Sequence, residues 1–239
     1  MTKPLQNSIQ QSSFHSFSHL FKHYGLILLL SMVLLYEFVG IRTRNQPWET
    51  PQESQTVQED NTKTTARKLF EEARELFDKG TAESQRQAIV KLEEALQLWQ
   101  QVDDQFQQAF MLAWIGYIYD SLGEKLQALT YYNQALPLYR AVGNKTEEGL
   151  MLYNIGLIFY DLGEQQQALK YYNQALALHR EVDNKKGEAH TLNNIGLIYA
   201  SVRQRQQALK YYNQALALYR ELGDNKGEAN TLNNIRNLY

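Results

Sequence analysis

The residues of this chain that could do chemistry are few. It contains five histidines and no cysteine, which excludes disulfides, thiol nucleophiles and thiolate metal sites. His15, His19 and His23 are four residues apart and would share one face of a helix. That spacing could hold a metal ion, but residues 1–24 contain no carboxylate to complete the set. An incidental helix face is the better reading, and neither a metal nor a cofactor is expected. His179 stands at the repeat position of Tyr139 and Tyr219, which points to packing. There is no phosphate-cradling glycine loop, dinucleotide fingerprint, nucleophile elbow or HExxH motif. A formal net charge of −2 gives no general attraction to nucleic acid. Lys170 and Lys210, like Arg140, Arg180 and Arg220, recur at one period and read as solvated ridges. No nucleophile and base can be assembled from these residues, so an enzyme is not expected.

What remains are residues suited to binding. Asn154, Asn193, Asn194, Asn233 and Asn234 recur beside Tyr153, Leu157, His190 and Leu197, and the earlier part of the same pattern carries Trp114 and Tyr117. An amide side chain both donates and accepts, so it can pair with the backbone of an extended peptide. These eleven residues are the candidate peptide-binding positions. The competing role for the asparagines is bracing between helices, and Trp114 could be covered by the segment before it.

The elements that would position them are written as repeats. "YYNQAL" occurs at 131, 171 and 211, a period of forty, and "QAIVKLEEALQLWQ" at 87–100 is a fainter copy in the same phase. Such a period signals stacked helical units. Within one unit, Leu192, Ile195, Gly196 and Tyr199 fall at i, i+3, i+4 and i+7, an apolar stripe on one helix. Ala208, Tyr212 and Ala215 mark the facing side of a second. The pattern predicts helices over about 186–202 and 204–222. "LGE" at 122–124 and 162–164 is the turn within a unit, and Val202, Arg203 and Gln204 must make the third turn without glycine. "GNK" and "DNKKG" at 143–145 and 183–187 break the helix between units. Gly196 and Ala208 let two backbones approach. One helix pair cannot bury its stripe alone, so several pairs must stack into a continuous core. His190, Asn193, Asn194, Leu197 and Ser201 lie beside the core stripe, free to face a groove. The earlier units put Leu150, Tyr153, Asn154, Leu157 and Asp161, and Phe110, Ala113, Trp114, Tyr117 and Ser121, at the same places.

Leu192, Ile195, Gly196, Tyr199, Ala208, Tyr212 and Ala215 have the spacing of the tetratricopeptide repeat, which the sequence resembles over about residues 66–239. Gly116, Ala128, Tyr132 and Ala135 match in the first full unit, and Gly156, Ala168, Tyr172 and Ala175 in the second. The forty-residue period is similar to the kinesin light chain repeats and to bacterial repeat regions that accompany CHAT protease domains. The resemblance implies an all-α, right-handed superhelix of stacked pairs. It also implies a peptide or protein partner in the concave groove, and peptide contact for Asn154, Asn194 and Asn234. The expected boundaries are a degenerate unit over 65–105, full units over 106–145, 146–185 and 186–225, and a capping helix over 226–239. In that last helix Arg236 replaces the glycine of the other units, and Leu232 and Ile235 are expected to cover the third unit.

The N-terminal part differs. Between Lys22 and Arg42 runs "HYGLILLLSMVLLYEFVGI", which as a helix spans roughly 28 Å at about 1.5 Å per residue, close to the hydrocarbon thickness. A membrane helix over 24–41 following a polar segment over 1–23 is expected. A cleaved signal peptide with secretion is the alternative. Lys3 and Lys22 on one side balance Arg42 and Arg44 on the other, so orientation stays open. Residues 42–64 are polar and Gln-rich and read as a flexible linker. The functional expectation is a membrane-tethered peptide-capture module. Its alternatives are a self-associating scaffold or the recognition arm of a system with its catalytic domain on another chain.

Overall fold

The computed structural model describes residues 51–239. The segment over 1–23, the anchor over 24–41 and the three-histidine face all lie outside the described residues. Described residues form helices and no strands: α1 Pro51–Asp78, α2 Ala82–Gln101, α3 Gln105–Ser121, α4 Lys125–Ala141, α5 Lys145–Asp161, α6 Gln165–Glu181, α7 Lys185–Ser201, α8 Arg205–Leu222 and α9 Asn225–Arg236. α3 with α4, α5 with α6 and α7 with α8 are the repeated pairs, and α1 packs with α2 through Ala66, Ala73, Ala88 and Leu92, within a unit spanning residues 55–239.

The linker expected over 42–64 is corrected from residue 51 onward, because α1 begins there. The sequence misleads because 51–64 has no apolar stripe. Its helix is held locally: the hydroxyls of Thr62, Thr64 and Thr65 donate to carbonyls four residues back, and Lys63 pairs with Glu59 at 2.6 Å. It continues a helix already fixed by Ala66 and Ala73, both buried.

Helix starts between units are capped alike. Asp104, Asn144, Asn184 and Asp224 each accept from the backbone N–H three residues on, at 2.9–3.1 Å. Turns require one left-handed residue. Gly123 and Gly163 supply it within the first two full units, at φ 77° and 78°. In the third, Arg203 takes φ 61°, so the glycine-free turn keeps the same geometry under strain.

The core is one repeated lock. A Cβ on Gly116, Gly156 or Gly196 would lie 2.5–2.7 Å from the ring of Tyr132, Tyr172 or Tyr212 respectively. The glycine therefore admits a tyrosine ring from the second helix, more than it brings two backbones together. Leu152, Ile155, Leu192 and Ile195 fill the rest, each 1% exposed or less. Burial of each contributes about 1.5–3 kcal/mol. In α9 the expectation for Leu232 is corrected: it is 43% exposed, because it lies on the far side of the helix. Leu238 and Ile235 instead pack on Ala208 and Tyr212.

Candidate functional site

The face beside the core stripe divides into two halves. Toward the C-terminal end its amides are engaged in bonds between units. Asn194 Nδ2 donates to the Tyr153 hydroxyl at 2.9 Å. Asn193 Oδ1 accepts from Thr231 Oγ1 and Asn234 Nδ2, both at 3.2 Å. His190 Nδ1 lies 2.9 Å from the Tyr219 hydroxyl, and burial lowers the pKa of this imidazole below its usual value, with Lys186 adding to the effect. Leu157 and Leu197 are half-buried against neighbouring cores, and Asn233 is exposed. Bracing is therefore the observed role of Asn193, Asn194 and Asn234.

Toward the N-terminal end the same positions open into a cavity of about 410 Å³. α3 presents Phe110, Ala113, Trp114 and Tyr117 to it; α5 presents Glu147, Leu150, Met151 and Asn154; α4 adds Tyr139; α1 closes one side with Arg74, Phe77 and Asp78. Trp114 meets Phe70, Phe77 and Tyr117 edge-on at 5.4–6.0 Å between ring centroids. The segment before it covers Trp114 in part and leaves one side on the cavity. Tyr117 is 48% exposed at the rim.

Asn154 differs from its repeats for a physical reason. Asn194 finds an acceptor in Tyr153 one unit back, whereas the residue one unit back from Asn154 in the same phase is Ala113. Asn154 has no hydrogen-bond partner among the described residues and faces the cavity with its amide free. Tyr139 is fully buried, and its hydroxyl has no partner. Burial pushes its phenol well above the ordinary tyrosine range, with the nearby Glu147 adding to this. Glu147 is half-buried, and desolvation raises its carboxyl above the usual value.

Of the sequence-predicted residues, the structure brings Trp114, Tyr117 and Asn154 to this cavity and distributes the rest along the braced half. The sequence reading missed Arg74, Phe77, Asp78, Tyr139 and Glu147. The first three sit in a unit whose phase is shifted by three extra residues. Glu147 had a signal: the equivalent positions in the next units are Gly187 and Gly227. Rings, an amide and carboxylates around an open cavity are groups that hold a ligand.

A tetratricopeptide-repeat family model matches residues 147–221 and 187–235, and a second model of the same description matches 111–141. No curated protein sequence matches the chain. Among solved structures, BtubC (BKLC) from P. vanneervenii is 22% identical with a TM-score of 0.62, over 80% of this chain and 84% of that one. The nearly identical TPR-like repeats of a kinesin light chain protein from Podosopora anserina are 13% identical with a TM-score of 0.54, over 74% of this chain and 95% of that one. The Rap conjugation gene regulator of plasmid pLS20, solved with the Phr* peptide, is 17% identical with a TM-score of 0.59, over 71% of this chain. This chain spans only 46% of that regulator.

Proposed function

The chain belongs to the tetratricopeptide-repeat family, and on that premise we propose that it captures a peptide segment of a partner protein on the face carrying Trp114, Tyr117 and Asn154. The observation that carries the reading is the open cavity at those residues, with an amide that nothing else in the described structure engages. A related fold holding a peptide, the Rap regulator with Phr*, supports it. Selection of peptides from a displayed library against the full chain should yield binders with Kd on the order of 1 μM, or roughly −8 kcal/mol. The double variant Asn154→Ala with Tyr117→Ser should weaken them by about tenfold or more, a loss of about 1.4 kcal/mol. Its Tm should stay close to that of the parent, since both side chains lie off the core. Equal affinity in the double variant would end this reading.

The reading includes a tether: residues 24–41 hold the module at a membrane. Its support is the apolar run between Lys22 and Arg42 in the sequence. Alkaline carbonate should leave the full-length protein with the membranes. Release into the wash, or a mature N-terminus beyond residue 40, would overturn the tether.

A further inference from the structure

We propose that the cavity between α1, α3 and α5 takes the side chain of an arginine, presented by the captured peptide. The inference rests on the peptide-capture reading and specifies its anchor.

The walls are aromatic. Phe77, Trp114 and Tyr117 stand 5.5–6.0 Å apart between centroids, with Tyr117 open at the rim. Such a wall favours a cation over its ring faces. The charges of the lining are uncompensated. Arg74 Nη2 is already held by Glu71 Oε2 at 3.0 Å. Asp78 and Glu147 have no ion pair among the described residues, whereas the neighbouring Glu148 is paired with Arg140 at 2.7 Å. Burial with no neighbouring cation is what holds the Glu147 carboxyl above its usual value. A ligand that brings the missing positive charge removes that penalty.

Glu147 also departs from the repeat where departure is informative. At Gly187 and Gly227, a Cβ would lie 2.7 Å from His179 and 2.4 Å from Tyr219. In the first full unit the corresponding ring, Tyr139, lies edge-on to Phe106 at 6.0 Å, and the residue at position 147 is a glutamate that lines the same cavity as that ring. Glycine at 187 and 227 closes the later units; glutamate at 147 gives this one an acidic wall. The buried, unpartnered hydroxyl of Tyr139 adds a polar group to the same lining.

Among cations, arginine fits best. Its guanidinium is planar, stacks on rings and offers five donors in a fork that suits a carboxylate. At about 410 Å³ the cavity admits one long side chain with its flanking backbone, not a folded element. A leucine would bury the half-buried Glu147 further without pairing it, and a glutamate would add a third negative charge.

The test uses the full chain, labelled with nitrogen-15, and follows the indole N–H resonances. Trp114 is assigned with the Trp114→Phe variant. Trp99, 1% exposed with a buried Nε1, is the internal control. The probes are the blocked tripeptides acetyl-Gly-Arg-Gly-amide, acetyl-Gly-Leu-Gly-amide and acetyl-Gly-Glu-Gly-amide. The arginine peptide should move the Trp114 signal with a Kd of about 1 mM, at least about tenfold tighter than the other two. Trp99 should not move. Glu147→Gln and Asp78→Asn should each reduce the arginine affinity severalfold, with their own spectra otherwise unchanged. The proposal fails if the leucine or glutamate peptide binds as well as arginine, or if Glu147→Gln leaves arginine affinity intact. Either result would still place a peptide at Trp114 and so spare the capture reading. Absence of any Trp114 shift with the arginine peptide also overturns the arginine anchor, while library selection continues to decide the capture reading on its own.

Discussion

Single atoms decide the packing of each unit. The ring of Tyr212 lies where a Cβ on residue 196 would be, at 2.5 Å. Gly196→Ala must therefore displace a ring that is itself only 1% exposed, and should cost about 1–3 kcal/mol as overpacking does. Arg236→Gly, at the same phase on an exposed part of α9, should change stability by less than about 0.5 kcal/mol. Comparing the two by urea unfolding checks both. The sequence announced that these glycines matter, since small residues recur in one phase. It did not announce that an aromatic ring fills the hollow, because spacing shows which residues share a face and not which atom of a neighbour arrives there. The asparagines teach the same limit. Asn154 and Asn194 are indistinguishable by type and phase, and only the acceptor one unit back, Ala113 or Tyr153, separates a free amide from a brace. His179 adds a pH prediction. It is 2% exposed, and burial lowers its pKa, opposed by Glu188 and assisted by His190. The folded state holds it neutral, while the unfolded chain binds a proton near pH 6.5. Between the lowered pKa and about 6.5 the unfolded state therefore binds more protons, so stability falls as pH falls through that window. Glu147 acts in the opposite sense at lower pH, since its raised carboxyl takes up a proton more readily when folded. His179→Tyr, which installs the residue found at 139 and 219, removes only the first contribution. Its Tm should decline less than the parent's between pH 7.5 and 5.5; parallel curves would show that His179 does not carry the slope.

At the scale of helices, caps outweigh surface ion pairs. Asn144 caps α5 through the Glu147 N–H at 3.1 Å, and Asn144→Ala should lower stability by about 1 kcal/mol. Glu164, the N-cap of α6, makes no side-chain cap bond. Glu164→Ala should stay within about 0.5 kcal/mol. The ion pairs between successive units, Lys145 with Glu181 and Lys185 with Glu221, lie in the open with both partners at 40% exposure or more. Each is worth about 0–1 kcal/mol, and their loss in Lys185→Ala should be barely visible in thermal unfolding. Helix limits over 185–222 were legible to within a residue, because apolar period, capping residue and left-handed turn agree there. The start of α1 was not, because no residue over 55–64 is buried in a core. A segment extended by its neighbour's order leaves no periodic mark of its own.

Across the stacked units, stability is carried by contacts between neighbours. Ile155 is fully buried in the cluster shared by α3, α4 and α5 with α6. Ile155→Ala should cost about 2–5 kcal/mol, measurable as a lower urea midpoint. The repeated lock has one more consequence. Gly156 with Tyr172 and Gly196 with Tyr212 are the same joint, and the capping asparagines, turns and ion pairs on either side recur with the same forty-residue step. Any unit can therefore accept the successor of its successor. If recombination between the two nearly identical coding stretches excised residues 160–199, Asn234 would inherit the place of Asn194 opposite Tyr153, and Glu221 would inherit that of Glu181 opposite Lys145. The shortened product should still melt as a folded helical protein and keep the cavity at Trp114. Whole-unit changes in length are then a route by which such a gene can vary its reach without ever passing through an unfolded intermediate form.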